Sequence, residues 1–307
     1  MSQDKVIQPT ISVYIITYNQ SAFIAQAIES VLMQKHNFEW EILIGDDCSS
    51  DETPQIIQRY ADKYPELIKI FLHKENLGYV KNTAGLLMAA NGKYVASLDG
   101  DDYWIDPLKL QKQVDFLEAN HDFSICFHNV KVIQGTNEAN FTLLNSDIQK
   151  EITTIEDICR INYIHPASCT YRNYLIKKLP VWYYNECPIN EWPIYILLAE
   201  HGKIKYINEV MAIYRRHEGA YNSRHNMVYK VKDVITVVHL ANKHLNYKFD
   251  KIFTQALIRC YSTILDEYIG RSFFFRLYYT IILFRLLRKY NNYNIPSITL
   301  LKKLFNK

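Results

Sequence analysis

Short apolar runs alternate along the first hundred positions with stretches in which apolar residues recur at three- and four-residue spacing. Ile11 to Tyr18 (ISVYIITY) is β-branched and almost continuously apolar, the pattern of a central parallel strand buried on both faces. Beyond Asn19, Ser21 stands where it can cap a helix reaching about Met33, with Phe23, Ala27, Ser30 and Val31 at helical spacing. Glu41 to Gly45 is a second strand, followed by Asp46 and Asp47. Ser49, Ser50 and Asp51 then start a helix with Pro54 in its first turn. Leu67 to Leu72 reads as a third strand, and Gly78 to Ala90 as a helix that Asn91-Gly92 stops. The fourth strand, from Tyr94, runs into Asp99, Asp101 and Asp102. Such alternation predicts an α/β fold: an open, mostly parallel sheet with right-handed crossovers and helices on both faces.

The pattern then loosens. A helix over 107–119 precedes a strand from Ser124 to Ile133, and polar, irregular Gln134 to Lys150 reads as a mobile loop. Thr153 or Thr154 is placed to cap a short helix, His165 to Tyr171 reads as a strand, and Asn190 to Gly202 as a helix. Met211 to Tyr214 is a strand running into Arg215, Arg216 and His217. From Asn222 the signal is helical, over roughly 223–245, 249–269 and 272–290, with an amphipathic piece from Ser297. The chain is therefore expected to divide into a sheet domain, 1–220, and a C-terminal helical region, 221–307.

Ligands of open α/β sheets bind outside the carboxyl ends of the strands. Three strand ends here carry polar groups that would meet in one crevice: Thr17 and Asn19, Asp46 and Asp47, Asp99 and Asp101. A strand's period of two sends Asp99 and Asp101 to the same side. Two carboxylates about 4 Å apart repel by roughly 4 kcal/mol at an effective dielectric near 20, so the cluster requires a cation or raised pKa values. Taken alone, the segment also fits a solvated acidic turn before a helix capped by Asp106 and Pro107. An EF-hand-like loop is excluded, because Leu110 stands where its bidentate Glu belongs.

With 307 residues, 49% of them hydrophobic, the chain can bury a large core as one domain or two. Its net charge of +3 is too small to argue for nucleic acid. Six scattered cysteines without a CxxC pair point to reduced thiols rather than a disulfide or zinc framework. The 24 tyrosines exceed what a core can supply with hydroxyl partners, so many belong at surfaces or interfaces. The start, MSQDKVIQPT, is unlike a signal peptide, and no apolar run reaches the roughly 18 residues of a membrane span. A cytoplasmic location is the expectation.

Over roughly residues 10 to 220 the chain resembles the inverting family-2 glycosyltransferases, nucleotide-sugar-binding proteins of GT-A fold. The resemblance is carried in order by VYIITYNQ, ILIGDDCSSDET, HKENLGYVKNTA, SLDGDD, NEW before a helix ending AEHG, and YRRH. It implies transfer of a sugar from a UDP-sugar to an acceptor hydroxyl with inversion, in bacterial surface polysaccharide or lipopolysaccharide synthesis, onto a glycan or lipid-linked sugar. Thr17 and Asn19 would line the nucleotide pocket, Asp46 would bond the base, and Asp99 would lie near the ribose and metal. Asp101 would bind Mn²⁺ or Mg²⁺, the role of the family's DXD motif, and His217 would reach back to the metal or diphosphate. Asn82 matches a place near the nucleotide-sugar, where the family's usual arginine is absent. Glu191 aligns with the catalytic base, commonly an aspartate after a glutamate; the pair here is Asn190-Glu191. Trp104 and Trp192 fit sugar platforms or core, Arg215 and Arg216 fit phosphate, and His165 falls in a stretch that faces the acceptor.

A nucleotidyltransferase would carry a glycine-rich basic loop after the first strand, and TYNQSAF is not one. A catalytically silent nucleotide-sugar-binding or scaffold protein is the other alternative; Asp101 and Glu191 remaining acids favour the enzyme. In the tail, Arg271, Arg285, Arg288 and Lys289 share one helical sector, and Ile298, Leu301, Leu304 and Phe305 lie opposite Lys303. Such helices suit an anionic membrane surface, and equally a bundle on the sheet domain or a dimer contact.

Overall fold

The computed structural model describes residues 8–219, 225–267 and 273–291. The tail positions Arg271 and 298–305 singled out above lie outside them. The chain forms two compact units. The first comprises Met1–Ile155, Tyr163–Glu186 and Asn190–His217; the second comprises Glu156–Asn162, Cys187–Ile189 and Glu218–Lys307.

The first unit opens with strands β1 (Ile11–Thr17), β2 (Trp40–Asp46), β3 (Ile68–Leu72) and β4 (Tyr94–Asp99). Between them lie helices α1 (Ile24–Leu32), α2 (Thr53–Lys63) and α3 (Tyr79–Ala89). β1 pairs in parallel with β2 and β4, and β2 with β3. Ile11, Val13 and Ile15 are fully buried and Tyr14 nearly so, which is why the run is continuously apolar. There follow β5 (Tyr103–Trp104), α4 (Lys109–Ala119), β6 (Phe123–Gln134), β7 (Asn137–Leu143) and β8 (Ile152–Thr153), after which helix α5 (Ile155–Arg160) belongs, from Glu156 on, to the second unit. The rest is β9 (Thr170–Arg172), α6 (Val181–Asn185), α7 (Glu191–Ala199) and β10 (Lys203–Arg216).

The α/β class is as expected, and the sheet runs β3-β2-β1-β4-β9-β6-β10-β5. Its first half is parallel. β9 joins β4 to β6 antiparallel to both, and β6 runs parallel to β10. The segment that delivers β9 passes through α5 and a 3-10 turn at Pro166–Ser168. That turn also corrects the expectation of a strand from His165.

Other local expectations change for physical reasons. Ser21 does not cap α1: its N-H donates to Asp51 Oδ2 at 3.0 Å, and the N-cap position falls to Phe23. Gly92 stops α3 by close approach and not by a left-handed φ, since a Cβ there would lie 2.4 Å from Ser12 N. The stretch 134–150 contains strand β7, which pairs antiparallel with β6 around Gly135 at φ +58°. Every residue of β7 is exposed, so no alternation marks it. β10 is longer than 211–214 because register shifts against β6 between Ile207 and Ala212 break its pattern. No disulfide joins the six cysteines among the described residues.

The second unit contains α8 (Met227–His244), α9 (Asp250–Glu267) and α10 (Phe273–Asn291). Ile258, Ile264 and Leu265 of α9 form a core with Tyr279, Leu283 and Leu287 of α10. Among the described residues, no helix is long and apolar enough to cross a membrane.

Candidate active site

The carboxyl ends of β1, β2 and β4 are braced against one another. Thr17 and Asp46 are register partners. Asp46 is buried, and its Oδ2 accepts from Ser49 N at 3.0 Å while its Oδ1 accepts from the Ser49 hydroxyl. Asn19, at φ +53°, accepts from Ser50 N at 2.8 Å and donates its own N-H to Ser49 Oγ at 2.8 Å. Gly100 is required where it stands, since a Cβ would meet Gln20 Oε1 at 2.5 Å and Thr17 Oγ1 at 2.9 Å. Asp47 takes Leu77 N at 2.7 Å and Gly78 N at 2.9 Å, so its carboxylate positions the start of α3.

Asn82 departs from the expectation of a donor contact. It is buried, its amide donates to Gly45 O at 2.9 Å, and its oxygen lies 3.1 Å from His73 Nε2. A side chain so engaged ties α3 to β2. Trp104 and Trp192 are likewise buried rather than open to a sugar face; Trp104 Nε1 donates to Ala167 O at 2.8 Å.

At the end of β4, one carboxylate oxygen each from Asp99, Asp101 and Asp102 lie within 4.8 Å of one another. Burial drives the pKa of Asp99 well up, and the charges of Glu191 and Asp101 add to it. Burial does the same to Asp102, with Asp101 and Asp99 adding. Asp102 Oδ1 accepts from Arg215 N at 2.9 Å, while its buried Oδ2 has no hydrogen-bond partner. His217 Nε2 lies 3.0 Å from Asp101 Oδ2. An orphaned oxygen, three crowded carboxylates and an imidazole make a donor set that fits a hard divalent cation.

Arg215 corrects a second expectation. It is buried, donates to Asp101 O at 2.5 Å and to Gln26 Oε1 at 2.6 Å, and lies over the Phe23 and Tyr103 rings. Its guanidinium holds the acidic turn in shape rather than reaching for phosphate. His165 Nδ1 accepts from Ala167 N at 3.3 Å, which leaves the proton on Nε2, 3.8 Å from Asp102 Oδ2. Burial lowers this histidine to about 4, so it is neutral.

Glu191 opens α7, with Asn190 as its cap. The Asn190 oxygen accepts from Glu191 N at 3.0 Å, and its amide donates to Thr83 Oγ1 on α3 at 3.0 Å. Burial pushes Glu191 up to about 7, against the opposing pull of its N-terminal backbone and Asn190. Buried Tyr14, Tyr171 and Tyr195 feel its charge, and Cys169 Sγ lies 3.3 Å from both Tyr195 OH and Ser97 Oγ. Beyond Tyr14 and Ser97 interrupting apolar runs, nothing in the sequence marked this group of hydroxyls.

Asn190→Ala is expected to cost about 1 kcal/mol of stability as a lost cap. Thermal melting of the variant measures it, and an unchanged melting temperature would overturn it.

A mixed α/β sheet whose adjacent strands end in acids, with a half-buried glutamate opening helix α7, is an architecture able to hold a divalent cation beside a further acid. The chain belongs to glycosyl transferase family 2, whose model matches residues 12–179. That span includes Asp46, Asp99 and Asp101, whereas Glu191 and His217 lie beyond it. An uncharacterized protein of Mycobacterium tuberculosis is 34% identical over 247 residues, 74% of this chain and 68% of that protein. The Escherichia coli protein UDP-Glc:alpha-D-GlcNAc-diphosphoundecaprenol beta-1,3-glucosyltransferase WfaP is 37% identical over 117 residues, 37% of this chain and 43% of that one. The crystal structure of Staphylococcus aureus TarS 1-349 in complex with UDP-GlcNAc aligns with TM-score 0.63 and 21% identity, over 82% of this chain and 73% of that one. At this identity the likeness speaks for the fold, which is GT-A-like.

Proposed function

We propose that the protein transfers a sugar from a UDP-sugar to a hydroxyl of a glycan or lipid-linked acceptor, with inversion, in cell-surface polysaccharide synthesis. The observation that carries this is the gathering of the Asp99, Asp101 and Asp102 carboxylates within 4.8 Å at the end of β4, with half-buried Glu191 adding its charge to those that raise Asp99. Support for the donor and acceptor classes comes from the names of TarS bound to UDP-GlcNAc and of WfaP.

In this reading Asp46, pre-set by Ser49, accepts from a ring N-H of the base, and Thr17 and Asn19 wall the pocket. Asp99 faces the ribose. Asp101 and His217 hold Mn²⁺ or Mg²⁺, which when bound neutralises charge on the departing diphosphate. Glu191 accepts the proton of the acceptor hydroxyl as that oxygen bonds to the anomeric carbon from the face opposite the diphosphate. The bond from that carbon to the phosphate oxygen breaks, so one displacement inverts the configuration without a covalent intermediate.

A panel of nucleotide sugars, assayed for Mn²⁺-dependent UDP release by the purified protein, tests this. Release from one or a few UDP-sugars, rising with acceptor, is expected. Release from no nucleotide sugar together with tight UDP binding would favour a silent binding protein instead.

A further inference from the structure

Helix α10 divides its residues sharply. Tyr279, Leu283 and Leu287 are buried in the core shared with α9. Leu277, Tyr278, Ile281 and Phe284 are exposed, Tyr278 at 59% and Phe284 at 55%. At 100° per residue these four fall in one sector, and exposed Arg285 and Arg288 continue that sector by a further turn. Residues 273–291 contain neither Asp nor Glu. Lys289 is paired with Asp250 at 2.8 Å, whereas Arg285 and Arg288 meet no carboxylate among the described residues.

We infer that this face of α10 docks on an anionic lipid bilayer, lying in its surface. The chemistry selects that occupant. A stripe of apolar side chains calls for an apolar partner, and a basic end on the same stripe calls for negative charge. A second copy packing α10 against α10 supplies the first only, because the helix offers its own image no acid to meet Arg285 or Arg288. The boundary of a bilayer with anionic headgroups supplies both: acyl chains for Leu277, Ile281 and Phe284, and phosphates for the guanidiniums. The Tyr278 ring suits the same depth, its hydroxyl toward water. The inference concerns the second unit and stands apart from the catalytic proposal, though a lipid-borne acceptor would give it a use.

Flotation of the full chain with vesicles tests it, using phosphatidylcholine alone and phosphatidylcholine with phosphatidylglycerol. The protein is expected to float with the anionic vesicles only, and less as salt rises. Arg285→Ala/Arg288→Ala should weaken binding about tenfold or more, and Ile281→Glu/Phe284→Glu should abolish it. All four side chains are exposed, so melting temperature and UDP release without vesicles should match the wild type, which separates this test from that of the enzyme. Absence of flotation with either vesicle would overturn the inference. So would self-association that the glutamate pair abolishes and the arginine pair leaves intact, because the face would then be an interface between copies.

Discussion

Glu191→Gln should bind UDP-sugar as tightly as the wild type and transfer sugar at least about a hundredfold more slowly, the lower bound for a lost general base. The amide keeps the shape and loses the basicity. Binding is spared because the donor is assigned to the strand-end acids, and folding is spared because Asn190, not Glu191, caps α7. A carboxylate that merely favours a helix start contributes about 0.3 to 1 kcal/mol of stability and nothing to turnover, so the two roles differ in scale. The pH profile gives a second readout. Burial raises Glu191 to about 7, and a base acts only when deprotonated, so wild-type turnover should climb with pH through a limb at about 7. A cation at the acid cluster favours the carboxylate and moves that limb lower. The glutamine variant should lack the limb. Near-normal transfer with slightly earlier melting would reduce Glu191 to a helix-start acid.

Legibility in the sequence followed how local each determinant is. The runs Ile11 to Tyr18 and Tyr94 to Leu98 announced β1 and β4 because strands buried on both faces leave no polar position. The convergence of Asp46 with Asp99 followed from parallel topology alone. Arg215 was misread because its role depends on Asp101 and Gln26, the latter 189 positions away in the chain. Asn190 was noted only as a departure from the family's acid pair, because its partner Thr83 is 107 positions distant. Asn82 was placed near the nucleotide-sugar, yet its amide reaches Gly45 at a site where a Cβ on that glycine would overlap it. β7 went unseen for the opposite reason: exposed on every residue, it has no buried face to write a period.

Asp101→Asn should remove metal-dependent binding of UDP-sugar while the folded protein melts no earlier than the wild type. An amide is a poor substitute for an anionic ligand oxygen, and the loss should exceed the 10- to 100-fold that a displaced outer partner of a metal site typically costs. Folding should survive for a reason visible in the bonds: Arg215 Nη1 is received by the backbone oxygen of Asp101, which the substitution leaves alone. An asparagine oxygen can also still accept from His217 Nε2. Stability should move in the favourable direction. Asp99 and Asp102 have pKa values raised by burial and then by Asp101's charge. A carboxyl whose folded pKa lies above its unfolded value costs stability at neutral pH, and that cost fades as pH falls through the folded pKa. Removing one of three charges lowers the cost for the other two, so the melting temperature at pH 7 should hold or rise, with the gain shrinking in acid. Calorimetric titration with Mn²⁺ and UDP beside thermal melts measures both halves. Unaltered affinity in a folded variant would return the cluster to a solvated acidic turn. Lost affinity with a lower melting temperature would instead mark Asp101 as a structural partner of His217, whose loss empties the site by unfolding its wall.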